Sequence, residues 1–322
     1  MRRLFRRAAG LAVAAGFIAG CSGAGGGSES PSLTITKQAG DAQTATVGTL
    51  LPIQLRVVVQ KSGSASSGHT VSWTPAAGSV NPTSSVTDGS GEATTSWTLG
   101  TTSGAQVVTA TAAASVTATF SATAAPGPAV SFQKESGDGQ SIESNSPFPS
   151  VLAAKVADQF GNGIEGVLVN WSLQSGSVIL QSGSSSTNSQ GLAAMPVTAG
   201  PNIGPAVVRA TTAAVGANVD FDLTVTTPPV RISVGNIFFR SAKNGSQNPA
   251  VDTVGVGDPV RWIWSAGSHS VRSTGMPPLD FPSSASSSTP GNSYTINFPR
   301  TGTYQYNCGV HDNDMTGSVV VQ

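Results

Sequence analysis

The sequence predicts an all-β protein, and three observations carry that expectation. Charged residues make up only 10 % of the 322, where about 25 % is usual for globular chains. Gly, Ser, Thr, Ala and Val fill much of the remainder, a mixture that suits β-branched strands joined by small-residue turns. Helices, which draw on Leu, Glu, Lys and Arg, are disfavoured by it. Short runs such as Val260–Trp264 alternate apolar and polar residues with the period of two that a strand requires. The length leaves room for two or three domains.

The chain begins with a basic segment, Met1–Arg7, followed by a short apolar and small-residue run, Ala8–Gly20. That run is too short to span a bilayer and has the size of a signal-peptide core. It ends Ile18-Ala19-Gly20-Cys21, which resembles the lipobox of bacterial lipoproteins. The resemblance implies a signal peptide over residues 1–20 and Cys21 as the lipidated first residue of the mature chain. The protein is then expected in a bacterial cell envelope, held to a membrane by its lipid. Ser22 stands where Asp favours inner-membrane retention in some bacteria, which tilts the expectation toward the outer membrane. Arg2-Arg3-Leu4-Phe5 partly resembles a twin-arginine export signal, so both export routes stay open. Residues 21–31 are rich in Gly and Ser and read as a flexible tether. Arg2, Arg3, Arg6 and Arg7 precede Cys21 and no acid does, so cleavage turns a formally neutral chain into an acidic one. No basic field for nucleic acid remains.

Two copies of one unit follow. Val71-Ser72-Trp73 recurs as Val169-Asn170-Trp171, Asp88–Ala93 as Asn188–Ala193, and Gly104–Thr111 as Gly204–Thr211. The spacing is close to 100 residues, the size of a sandwich domain and not of a short solenoid repeat. Expected boundaries are 32–127 and 128–228. Val151–Val156 reads as a strand, Asp158–Gly163 as a turn whose Gly and Asn accept positive φ, and Val167–Trp171 as the next strand, with its Trp between sheets. In the first copy Lys61–Gly68 occupies the place of that turn. Val156–Trp171 (VADQFGNGIEGVLVNW) and the later Gly191–Ala193 (GLA) resemble the bacterial immunoglobulin-like repeats of invasins and intimins. That resemblance implies a spacer or adhesive role. His69 is the only histidine in the two copies, and their acids, such as Glu135, Asp138 and Glu143, lack the paired spacing of acid–base catalysis. Asp88-Gly89 is a turn of a kind that binds Ca²⁺ in some surface repeats, but ligand density around it is low. No catalytic chemistry is assigned to either copy, and the protein is not expected to be an enzyme.

Pro228-Pro229 reads as a stiff linker, after which the composition changes. All three Tyr, two of the five Trp, two of the three His and Cys308 lie in residues 229–322, the expected third domain. Val230–Val234, Val260–Trp264, Tyr294–Phe298, Tyr304–Cys308 and Val319–Val321 read as strands, and a turn at Ser265–Ser268 delivers His269. Alternation puts Tyr304, Tyr306 and Cys308 on one inward face. With Cys21 acylated, Cys308 has no disulfide partner in the chain. A lone thiol outside the cytoplasm is a liability unless it is used, which favours a ligand role.

Cys308, His311 and Met315 place a thiolate, an imidazole and a thioether within eight residues, and His269 supplies a second imidazole from a neighbouring strand end. Two imidazoles and a thiolate with a weak axial thioether form the donor set of type 1 copper. Zinc is the alternative, with Asp312 or Asp314 as a fourth strong donor, and Met276 is a competing axial donor. Val256–Val271 (VGDPVRWIWSAGSHSV) and Gly302–Val321 (GTYQYNCGVHDNDMTGSVVV) resemble the plastocyanin and azurin family, the cupredoxins. The resemblance implies a Greek-key β-sandwich holding one type 1 Cu. It assigns His269, Cys308 and His311 as equatorial ligands and Met315 as the axial one. Ser270 departs from the Asn that often follows the first His in plastocyanins and ties the two ligand loops together.

The fold expectation is therefore two immunoglobulin-like β-sandwiches followed by a cupredoxin sandwich. The expected function is a lipid-anchored envelope carrier of single electrons, with a redox partner protein that the sequence does not identify. A copper carrier without electron traffic uses the same donors, and a surface adhesin with an accessory copper domain is the third reading. Copper oxidases and nitrite reductases need further histidine-rich centres, and the chain has three His in all.

Overall fold

The structure is a computed structural model that describes residues 32–322; the expected signal peptide over 1–20, the expected tether over 21–31 and Cys21 fall outside the described residues. The protein is all-β, with no helix among those residues. In the first sandwich one sheet runs in the order Leu33–Ala39, Leu55–Lys61, Glu92–Thr98, Ser79–Asn81. The other orders Gln43–Thr46, Val116–Ala125, Gly104–Ala113, Thr70–Pro75 and Ser84–Val86. The Lys61–Gly68 stretch is explained by its tight turn. Ser62 and Gly63 both take left-handed backbone (φ 52° and 81°) between register partners Lys61 and Ser64. This is the two-residue geometry that matches strand twist.

The second sandwich repeats the plan. Ser131–Ser136, Leu152–Ala157 and Leu192–Met195 form one sheet, and Gln140–Glu143, Ala217–Thr226, Gly204–Thr212, Leu168–Ser175 and Ser184–Ser186 form the other. The correspondence extends to side chains. Trp73 packs on Phe120 with ring centroids 6.0 Å apart and Trp171 on Phe221 at 5.6 Å. Each indole N–H donates to a serine hydroxyl, Ser85 or Ser185, at 2.9 Å. Gln43 and Gln140 each clip a loop by donating to two backbone carbonyls and accepting one amide. Two acids of these copies order turns through the backbone: Asp88 accepts from the Ser90 and Glu92 amides, and Asp158 from those of Phe160 and Asn162.

The third sandwich has two four-stranded sheets. One orders Phe238–Ser241, Val230–Gly235, Pro259–Trp264, Ser293–Asn297; the other orders Ala250–Val254, Asp312–Val321, Gly302–Cys308, Arg272–Ser273. Alternation along Pro259–Trp264 buries Val260, Trp262 and Trp264. Gly302–Cys308 buries Tyr304, Tyr306 and Cys308. Trp262 is the hub, in contact with Phe281, Tyr294 and Tyr306 at ring separations of 5.2–6.0 Å.

One acid sits in this core. Ala250, Asp252 and Val254 share the inward face of their strand, and the Ser241 hydroxyl donates to Asp252 Oδ1 at 2.6 Å. The other carboxyl oxygen is buried without a partner, while the Lys243 ammonium donates to the Thr253 carbonyl. Burial pushes the Asp252 carboxyl above its usual range, against the opposing Ser241 hydrogen bond and Lys243 charge. An acid raised on folding contributes stability that is complete below its unfolded value, about 3.9, and is lost as pH climbs through the folded one. Asp252→Asn keeps an acceptor for Ser241 and removes the ionisation. It is expected to flatten the decline in unfolding free energy above about pH 4, measured by denaturant titration at a series of pH values. An unchanged pH profile would contradict this account of Asp252.

Candidate metal centre

The strand Gly302–Cys308 carries the Cys308 thiol inward from its end, fully buried. Register slips between Asn307 and Cys308, so Cys308 pairs with Asp312 across the short loop Gly309–His311. Such an irregularity re-aims side chains at a strand end, and here it brings His311 round beside the thiol. His269 arrives from the other side, beyond the end of Pro259–Trp264. Its backbone exchanges two hydrogen bonds with Ser287, at 2.8 and 3.0 Å, and its carbonyl accepts the Trp264 indole N–H at 2.9 Å.

These placements bring three donor atoms together. His269 Nδ1 and His311 Nδ1 lie 3.2 Å apart, Cys308 Sγ is 3.5 Å from His311 Nδ1, and it is 3.8 Å from His269 Nδ1. Among the described residues this is the one group of three or more His, Cys, Asp or Glu side chains whose donor atoms converge. A triangle of those sides has a centre about 2.0 Å from every corner, close to the bond lengths of about 2.0–2.3 Å that first-row metals make to N and S. The residues therefore fit a metal ion of that size. His269 is buried and His311 only partly so. Burial first, and then the neighbouring His311, push the His269 imidazole below its ordinary value, against the Ala266 carbonyl. That direction favours the neutral ring, the form a metal binds.

The loops around the triangle are tied to each other. The Gly309 amide donates to Ser270 Oγ at 3.0 Å, so Ser270 links the His269 segment to the Cys308 loop despite its short side chain. The Val310 amide points at Cys308 Sγ, 3.4 Å away. Met315 is fully buried in the same core cluster as Cys308, within the strand Asp312–Val321. Met276, the competing thioether, is 84 % exposed. Asp312 and Asp314 are exposed and stand outside the converging group. Sequence reasoning missed Arg272, which bridges Asn307 and Asp312.

Gly267 shows how closely the ring is seated. Its φ is +76°, and a Cβ there would lie 2.3 Å from His269 Nε2. Gly267→Ala therefore combines left-handed strain of about 1–3 kcal/mol with displacement of the imidazole. Metal affinity is expected to fall at least tenfold, measured by competition with a chelator. Unchanged affinity would show that the ring has room to move.

No protein-family model matches the chain, and no curated protein matches it. Several solved structures are similar to it. The D0-D1 domain of intimin is 20 % identical, covering 61 % of this chain and 98 % of that one, with a TM-score of 0.26. The Yersinia pseudotuberculosis adhesin InvE is 15 % identical over 61 % of this chain and 58 % of its own, with a TM-score of 0.30. An oxidized amicyanin mutant is 24 % identical over 30 % of this chain and 86 % of its own, with a TM-score of 0.24. The strand orders define the class: two immunoglobulin-like sandwiches and a cupredoxin-type sandwich. Within the third, His269, Cys308 and His311 form the candidate metal site.

Proposed function

We propose that residues 229–322 hold one copper ion in a type 1 site formed by His269, Cys308, His311 and Met315. In this reading the protein is a single-electron carrier, anchored in the bacterial envelope through Cys21. The observation that carries the proposal is the triangle of two Nδ1 atoms and one Sγ with its centre about 2.0 Å from each. Copper is favoured over zinc by the donor set. A thiolate and two imidazoles converge with no carboxylate among them, and the remaining sulfur candidate is a thioether. A copper ion bound there supplies a one-electron couple.

The chain's own contribution is rigidity and access. The backbone of His269 is pinned by Ser287 and Trp264, and Gly309 is pinned by Ser270, so the donor atoms have little freedom to rearrange between charge states. Buried Cys308 and His269 keep water away, while partly exposed His311 gives a partner protein an edge to approach. The test is reversible reduction of the copper-loaded full chain, followed by stopped-flow. One electron per chain, taken up and released repeatedly without loss of metal, is the expected result. Release of copper on reduction would favour the copper-carrier reading instead.

A further inference from the structure

We propose that Arg272 is a positioning residue for the metal-ligand loop, holding it closed from outside through both of its ends. This rests on the reading of His269, Cys308 and His311 as metal ligands. Arg272 lies three residues after His269, in the two-residue strand that pairs with the end of Gly302–Cys308, directly opposite Asn307. Its guanidinium divides between two acceptors. Nε donates to Asn307 Oδ1 at 3.0 Å and Nη2 to Asp312 Oδ1 at 2.5 Å. Asn307 is the residue before Cys308, and Asp312 is the residue after His311. One planar fork thus links the His269 segment to both edges of the loop that carries the other two donors.

The loop needs such a constraint. Asp312 has a left-handed backbone, φ 44°, a conformation uncommon in non-glycine residues though more accessible to Asp than to most, and a side-chain contact there helps to fix it. Asp312 is also the position where the chain turns from the loop into the strand Asp312–Val321. Exposure separates this role from bulk stability. The Arg272 and Asp312 side chains are 46 % and 70 % exposed, so their ion pair adds little to folding, whereas Asn307 is buried. A lysine retains the charge but not the fork that reaches two acceptors at once.

The experiment uses the full chain with Arg272→Ala and Arg272→Lys. In metal-free protein, amide hydrogen exchange at Gly309 and Val310 is expected to rise about tenfold in both variants, as loss of a charge-assisted contact opens the loop locally. Exchange at Tyr304 and Val319 should hold its wild-type rate. In copper-loaded protein both variants are expected to alter the sulfur-to-copper absorption bands and the electron paramagnetic resonance pattern relative to wild type. Wild-type loop exchange in Arg272→Ala would overturn the proposal. Wild-type behaviour confined to Arg272→Lys would also overturn it, because charge and not the two-pronged geometry would then be the agent. If wild-type protein gave no such bands, the copper reading would fail, while the exchange measurement would still decide whether Arg272 closes the loop.

Discussion

Cys308→Ser is expected to lower copper affinity at least a hundredfold while leaving the metal-free protein folded. The thiolate is the one anionic donor in the triangle, and a serine hydroxyl stays protonated at neutral pH. With it gone, two imidazoles whose Nδ1 atoms lie 3.2 Å apart and the weak Met315 thioether remain to hold the ion. The loss should exceed the range of about 10–100-fold seen when only an outer partner of a ligand is removed. Folding should survive because the substitution conserves volume at a fully buried site, and the Val310 amide is already aimed at the side-chain atom. The cost of burying the hydroxyl is at most about 1–3 kcal/mol. A chelator competition for affinity, and calorimetry of the metal-free variant, measure the two halves separately. Retained affinity would remove Cys308 from the site.

Trp262→Ala is expected to produce the largest loss of stability in the third sandwich, about 3–5 kcal/mol. Trp262 is fully buried and stacks on Phe281 with planes 17° apart, while Tyr306 meets its ring edge-on at 5.2 Å. Removing the indole leaves a void beside Tyr306, two residues before Cys308 on the strand that delivers the thiol. The effect should therefore reach the site as well as the core. Scanning calorimetry with and without copper reads it, because the transition that moves on adding metal identifies the third sandwich. That transition should fall steeply in Trp262→Ala, and the copper-induced shift should shrink. A variant that melts like wild type would show that the core tolerates the void.

Much of this was legible from residue order because strands write their burial in alternation. Val260, Trp262 and Trp264, and likewise Tyr304, Tyr306 and Cys308, read as inward faces and are buried. The repeat was legible through Trp73 and Trp171. Its fuller form, Lys37-x3-Asp41-x-Gln43 recurring as Lys134-x3-Asp138-x-Gln140, lies at a spacing of 97 and not 100, so matching at one offset hides it. The strand Ala250–Val254 is hard to recognise in the sequence because its inward face includes Asp252, although Ala250 and Val254 give the phase. Arg272 could not be found by pattern. Its partners lie 35 and 40 residues away, and only the register of a two-residue strand brings them together. The closing strand is legible only as Val319–Val321, because its first three residues, Asp312, Asn313 and Asp314, are polar and exposed and resemble a turn.

The most direct test is a visible titration of the full chain with Cu(II). The expected result is an intense sulfur-to-copper charge-transfer band that saturates at one copper per chain and is absent from Cys308→Ser. Weak absorption of the kind given by nitrogen and oxygen ligands alone, or a band that survives in Cys308→Ser, would contradict it.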